Sequence, residues 1–354
     1  MDVLVLVLVA ALAAVVSFVP LYLLRITPII YATAVVKIKE SRLIDDKKYE
    51  ELVSLDLEDF PSFFENTDYG KYITEPTYDN IERGLLLHEK DLDYEIFDLV
   101  PKDLSGVFDY LIKKWDVANL RRVLGGIHAG MPVEEVKEGL VEAGYMYESI
   151  QELAERDMEE VVSALEGTPY DIREGMEEYR ATRNFSFIDL LLKKRMFERV
   201  VEEAVWSREK KLKTFNEYLQ VLADSLDLNA MLRGKAGMVG AEEIRRFLMK
   251  FDVDREYEES KDVDEFLVRL KETRYSYLIG DVGEGLDLME LERKIEEQVL
   301  RKAKDISTAE AFGLGPVISF LAMKEAEIRN IRLIAKLKEE GVSPEKIREF
   351  LLIL

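Results

Sequence analysis

The chain repeats itself three times, and that repetition restricts its fold more than any other feature. Residues 113–123 read KKWDVANLRRV and residues 324–334 read KEAEIRNIRLI. In both, an acid is followed three places later by Asn, then an aliphatic residue, then Arg: Asp116, Asn119, Leu120, Arg121 against Glu327, Asn330, Ile331, Arg332. The match continues in the same register, pairing Gly130 with Gly341, Glu134 with Glu345, Val136 with Ile347 and Leu140 with Leu351. A middle copy pairs Tyr110 and Leu111 with Tyr218 and Leu219, Asp116 with Asp224, Gly126 with Gly234 and Val136 with Ile244. It carries Asp227 where the others have Asn119 and Asn330, so it is the degenerate copy. A second marker, Thr-x-Tyr, recurs at Thr67–Tyr69, Thr168–Tyr170 and Thr273–Tyr275. The repeats divide the body into residues 43–145, 146–248 and 249–354. Each is about 100 residues, far longer than a solenoid unit and long enough for its own helical bundle.

Within the copies, apolar residues recur at three- and four-residue spacing, as in Val117, Leu120, Leu124 and in Ile328, Ile331, Ala335. Leu, Glu, Lys, Arg and Ala dominate, the good helix formers. Ser343-Pro344-Glu345 reads as a helix start with Pro at the first helical position, and Met131-Pro132 reads the same way, with Glu134 and Glu135 in the first turn. The body is expected to be all-α, in three homologous helical bundles. A catalytic constellation rarely occurs in every copy of a repeat, whereas a packing device does. An Asn one turn from an acid on a half-buried helix can hydrogen-bond the backbone of an adjacent connection. Ligand contact is the competing reading of the same residues.

The first thirty residues are a different material, and with a connecting segment they form a unit of residues 1–42 ahead of the repeats. From Val3 to Leu24, 22 residues pass without a charge, interrupted only by Ser17 and Pro20. As a helix the run would cover about 30 Å, the hydrocarbon thickness of a bilayer. No Lys or Arg precedes it, whereas Arg25, Lys37, Lys39, Arg42, Lys47 and Lys48 follow. A retained transmembrane helix with the N-terminus outside and the body on the cytoplasmic side of the cell membrane is expected, with a cleaved signal and a buried or interfacial helix as alternatives.

Composition removes several functions. The chain has no Cys, which excludes disulfides, thiolate nucleophiles and cysteine-ligated metals. A net charge of −22 speaks against nucleic acid as a partner. His88 and His128 stand forty residues apart with no metal-ligand spacing. The Gly280–Gly285 segment lacks the Gly-Lys-Ser/Thr ending of a phosphate loop. Gly234-Lys235 has Ala236 where that loop needs a hydroxyl; both segments read as loops between helices. No catalytic residue, cofactor or metal is assigned.

Four segments carry a family resemblance: Tyr31 through Leu43 (YATAVVKIKESRL), Thr67-Asp68-Tyr69-Gly70, Trp115 through Arg121 (WDVANLR), and Gly313-Leu314-Gly315-Pro316 through Arg332 to Glu349. In that order they resemble the C subunit of archaeal and bacterial A-type/V-type ATPases (ATP synthases), counterpart of the d subunit of eukaryotic V-ATPases. The resemblance implies three similar helical domains in a pseudo-threefold funnel. It also implies a non-catalytic part that links the membrane ring of proteolipid subunits to the central stalk and transmits torque. Asp116, Asn119, Arg121, Glu327, Asn330 and Arg332 match as motif positions, with no contact assigned. The first thirty residues depart from the usual pattern of such subunits. The alternative is a membrane-tethered helical adaptor for another soluble complex.

Overall fold

The computed structural model describes residues 26–101, 105–206, 213–280, 285–311 and 313–353. Every regular element among them is helical. The run Val3–Leu24 lies outside the described residues, and no described helix is long and apolar enough to cross a membrane.

The elements alternate between long helices and clusters of short ones. Helix α1 (residues 26–40) is followed by α2 (Asp46–Ser54), α3 (Phe60–Phe64), α4 (Tyr78–Leu99), α5 (Ser105–Phe108) and α6 (Tyr110–Ala129). Then come α7 (Val133–Glu138), α8 (Tyr147–Leu153), α9 (Met158–Ala164), α10 (Met176–Thr182) and α11 (Ser186–Trp206). Next come α12 (Lys213–Ala236) and α13 (Ala241–Arg245), then α14 (Asp254–Glu259), α15 (Val263–Leu270) and α16 (Ser276–Ile279). The chain closes with α17 (Leu288–Ala309), α18 (Gly315–Glu339) and α19 (Pro344–Glu349).

Local chemistry sets these boundaries. Thr77 caps α4 by accepting from the Asn80 N–H, Asp262 caps α15 from Glu265, and Asp287 caps α17 from Glu290, each satisfying an orphan donor of the first turn. Asp157 and Glu160 form a reciprocal capping box on α9. Pro344 occupies the start of α19. Pro132 caps α7 from outside, so that helix begins one residue later than its Pro suggests. At the C-terminal ends of α6 and α18, Gly130 and Gly341 take φ values of 68° and 72°, the left-handed geometry that closes a helix. The equivalent residue after α12 is Met238, at φ 56° and 92% exposed.

Gly234 is not in a loop. It sits in the last turn of α12, where a Cβ would lie 2.8 Å from the Tyr257 hydroxyl and 2.9 Å from Ile244 Cδ1. Gly126 in α6 faces Val136 in the same way. These glycines let the next short helix pack against the end of the long one, so the phosphate-loop likeness at 234–236 is a packing contact.

Most buried apolar residues from α1, α4–α6, α8–α13 and α15–α18 merge into one core. A second core joins the two ends of the chain: Tyr49, Leu52, Phe60, Phe64 and Tyr69 pack with Ile328, Ile331, Ile334, Ile347 and Leu351.

Candidate functional site: three helical joints

The repeated motif lies on α6, α12 and α18, and each of its polar residues reaches a different neighbour. The Asn makes a clasp. Asn119 Nδ2 donates to the Val141 and Ala143 carbonyls at 2.8 and 3.1 Å, while its Oδ1 accepts from the Val141 N–H at 2.9 Å. Asn330 repeats this on Leu352, donating at 2.8 Å and accepting at 2.9 Å. Both clasp a residue 22 positions downstream. Asp227 holds the same offset with different polarity: its two oxygens accept from the Met249 and Lys250 N–H groups at 2.7 and 2.9 Å. Asn119, Asn330 and Asp227 are all buried, so the pairing satisfies groups that would otherwise be costly to desolvate.

The acid one turn earlier receives a tyrosine from the following copy. Asp116 accepts from the Tyr170 hydroxyl at 3.0 Å and from the Met146 N–H at 2.8 Å. Glu327 accepts from the Tyr69 hydroxyl at 2.6 Å, from Lys324 Nζ at 2.6 Å and from the Ile44 N–H. In the middle joint Tyr275 turns instead to the Lys250 carbonyl. There Asp224 takes Tyr277 at 2.9 Å and the Arg274 guanidinium. The Thr of each Thr-x-Tyr braces the turn that aims these rings, donating at 2.7 Å to the Phe64, Leu165 and Leu270 carbonyls.

The motif arginine reaches a carboxylate on the next long helix. Arg332 binds Glu82 on α4 at 2.6 Å, and Arg121 forms an ion pair with Asp189 on α11. In the middle copy the corresponding residue is Asn229, facing Glu296 on α17. The three carboxylates follow Ile81, Ile188 and Ile295, all buried, which fixes their rotation on the three helices.

Each motif helix therefore holds the front segment of the next copy, and α18 holds that of the first. At this third joint the chain's ends meet. Lys338 Nζ donates to the Val53 carbonyl at 2.7 Å, and Arg348 binds Glu50 at 2.8 Å.

A charged cluster links α4, α6 and α18. Lys114 lies 2.8 Å from both Glu89 and Asp93, and 3.5 Å from Glu325, its own counterpart in the repeat. Trp115 Nε1 donates to Asp93 at 3.0 Å. Three carboxylates surround one ammonium, so one of them favours its proton. Burial pushes Asp93 up to about 7, with Glu89 and Glu325 adding to the shift against Lys114. Burial opposes the charge on Lys114, but Asp93 and Glu89 outweigh it and hold its proton. His88 is buried beside Tyr69 and Tyr72, and burial then Lys324 push it down to about 4, leaving it neutral. His128 stacks on Phe185 and meets the Tyr179 hydroxyl at 3.0 Å. Among the described residues no cluster could hold a metal ion.

All six motif positions thus lie at joints: Asp116, Asn119 and Arg121 in the first, Glu327, Asn330 and Arg332 in the third. Sequence comparison did not single out Lys114, Asp93 or Asn229, because each departs from its counterparts in the other copies.

The model of the ATP synthase (C/AC39) subunit family matches residues 32–350. The A-type ATP synthase C subunit of Methanocaldococcus jannaschii is 30% identical over 349 positions, covering 93% of this chain and 87% of that protein. The C subunit of Thermococcus onnurineus is 30% identical over 344 positions, with 92% and 90% covered. That of Methanosphaera stadtmanae is 25% identical over 366 positions and covers 99% of this chain and 94% of its own length, so its match extends into the apolar N-terminal run.

Proposed function

From the premise that the chain belongs to the ATP synthase (C/AC39) subunit family, we propose that it is the rotor part between a membrane proteolipid ring and the central stalk. It is a non-catalytic subunit of a rotary ATP synthase, and the proposal concerns its mechanical role. The observation that carries this reading is the set of three joints at corresponding positions of the repeat, the third of which ties residues 44–69 to the C-terminal helices. A part that passes torque must resist being opened. Buried polar residues, the asparagines paired within a copy and the acids Asp116 and Glu327 paired with the next, give the joints fixed geometry where apolar contact alone would allow sliding. We read the three copies as a pseudo-threefold funnel on this basis.

The run Val3–Leu24 is proposed as a bilayer anchor, with the body on the cytoplasmic side. Its length, its lack of charge and the basic residues that follow it support this. Capture of the native protein from membranes in mild detergent tests the rotor reading. Proteolipid and stalk subunits are expected with it, and their absence under conditions that keep the rest of the complex intact would overturn it. Deletion of residues 1–26 is expected to release the protein from membranes stripped of ring subunits; unchanged association would sink the anchor.

A further inference from the structure

Helix α1 carries an apolar face that the body leaves uncovered. Ile29, Ala32 and Val36 bury its inner side in the core, and the buried Thr33 hydroxyl donates to the Gly313 carbonyl at 3.0 Å. Lys39 adds an ion pair with Glu95 on α4 at 2.8 Å. These contacts fix the rotation of α1 on the body, so its other side points outward. That side holds Ile30, Ala34 and Ile38 at four-residue spacing with Tyr31 beside them, within an arc of about 100° around the helix. Ile30, Tyr31 and Ile38 are 45%, 62% and 58% exposed. Among the described residues no other helix exposes more than one large hydrophobic side chain. The sequence sets where this face lies. The uncharged run Val3–Leu24 ends two residues before the first described residue of α1, Ile26. Two extended residues reach at most about 7 Å, and the rise from Ile26 to Ile30 adds about 6 Å of helix. Ile30 therefore stays within about 13 Å of the end of the run, however the chain turns between them. With the run in a bilayer, α1 starts at the boundary between hydrocarbon and water. It is only about 22 Å long and carries Lys37, Lys39 and Glu40, so it does not extend the span.

We propose that α1 lies along the bilayer surface with this face on lipid: Ile30, Ala34 and Ile38 rest where headgroups meet acyl chains, and the Tyr31 hydroxyl sits at headgroup level. The pattern is that of an interfacial helix, apolar on one arc and polar at its margins. Tyrosine suits that depth because its ring is apolar and its hydroxyl stays wet. Lys37, paired with Glu40 at 2.7 Å, borders the face and can lay its stem on the apolar arc while its ammonium stays in water. Lipid, rather than a folded partner, follows from the nearness of the run, and a convex apolar arc fits a fluid phase. The consequence is mechanical. The helical body is seated against the bilayer through α1 instead of hanging from a free linker, so the body and the run move together. This inference rests on the reading of Val3–Leu24 as a bilayer anchor.

The test uses the absence of Cys, which lets one introduced Cys carry one environment-sensitive fluorophore. Ile30→Cys and Ile38→Cys, at the two ends of the face, are compared with Met238→Cys, whose position is 92% exposed on another part of the body. The labelled full-length proteins are reconstituted into vesicles of phosphatidylcholine and phosphatidylglycerol and recovered by flotation. The labels at 30 and 38 are expected to emit to the blue of the label at 238 and to be quenched by nitroxide-bearing lipids. They should also resist quenching by iodide at least fivefold better. If iodide reaches them as readily as it reaches the label at 238, the face lies in water and the proposal falls, while the anchor stands. Labels shielded from iodide yet untouched by nitroxide lipids would mean that protein covers the face, which also overturns it. Equal lipid quenching at all three positions does the same, by showing that no side of the body is preferred. Failure of the labelled proteins to float overturns the anchor and this inference together.

Discussion

At the scale of single residues, the joints depend on side chains that both give and accept. Asn119 does what no ionised carboxylate can, donating to two carbonyls while accepting an N–H. Asn119→Ala leaves these groups buried and unpaired and is expected to cost about 2–4 kcal/mol in urea unfolding. Asn119→Asp should cost at least as much, because it turns an oxygen toward the Val141 and Ala143 carbonyls. The Asn was visible in the sequence through its repetition. Asp227 reads there as decay, yet it holds the same 22-residue clasp by accepting two N–H groups. A motif is scored by residue type, whereas the fold needs only that donors meet acceptors. Met238 is a different departure: a bulky residue in the left-handed conformation that glycine fills at Gly130 and Gly341. Its side chain is 92% exposed, so nothing is lost in packing. Met238→Gly is expected to stabilise the protein by about 1 kcal/mol, read as a rise in the denaturant midpoint at unchanged slope.

At the scale of elements, α4, α6 and α18 meet through charge as well as apolar contact. Lys114 neutralises only part of the charge of Glu89, Asp93 and Glu325, and Asp93, with a side chain only 2% exposed, has the least water to fall back on. Its folded value of about 7 stands above the ordinary carboxyl value of about 4. The protonated form is therefore the one the fold prefers. Its contribution to stability is complete below about pH 4, declines as the pH rises, and is gone once the pH passes about 7. Asp93→Asn fixes the neutral form and keeps an acceptor for Trp115 Nε1. Relative to this variant, the wild type should lose about 2 kcal/mol of unfolding free energy between pH 5 and pH 8. Parallel pH profiles for the two proteins would contradict the assignment. No periodicity announces this cluster, because the counterparts of Lys114 in the other copies are Leu222 and Glu325. The long helices themselves were legible, since their apolar spacing and caps are local properties of the chain.

At the scale of the molecule, a repeat shows which segments are alike but not which segment each one binds. The Thr-x-Tyr and motif segments are both evident in every copy. That Tyr170 serves Asp116 of the copy before it, and Tyr69 serves Glu327 near the far end of the chain, follows only from the packing. The separations are 54 and 258 residues, and by loop-closure entropy alone the longer one costs roughly 1.4 kcal/mol more to bring together. The first joint clasps a segment held by chain on both sides. Asn119 holds its segment with three hydrogen bonds and Asn330 holds Leu352 with two, so the third joint is where the molecule should open first. Removing residues 351–354 deletes the clasped backbone and the buried Leu351 together. Hydrogen exchange should then accelerate at least tenfold not only in 340–350 but also in 44–73, almost 300 residues away in sequence. Residues 110–170, in the first joint, should keep their protection. Acceleration confined to 340–350 would show that Tyr69, Glu327 and the apolar contacts hold the ends without the clasp. Loss of protection throughout would show that the three joints open as one unit.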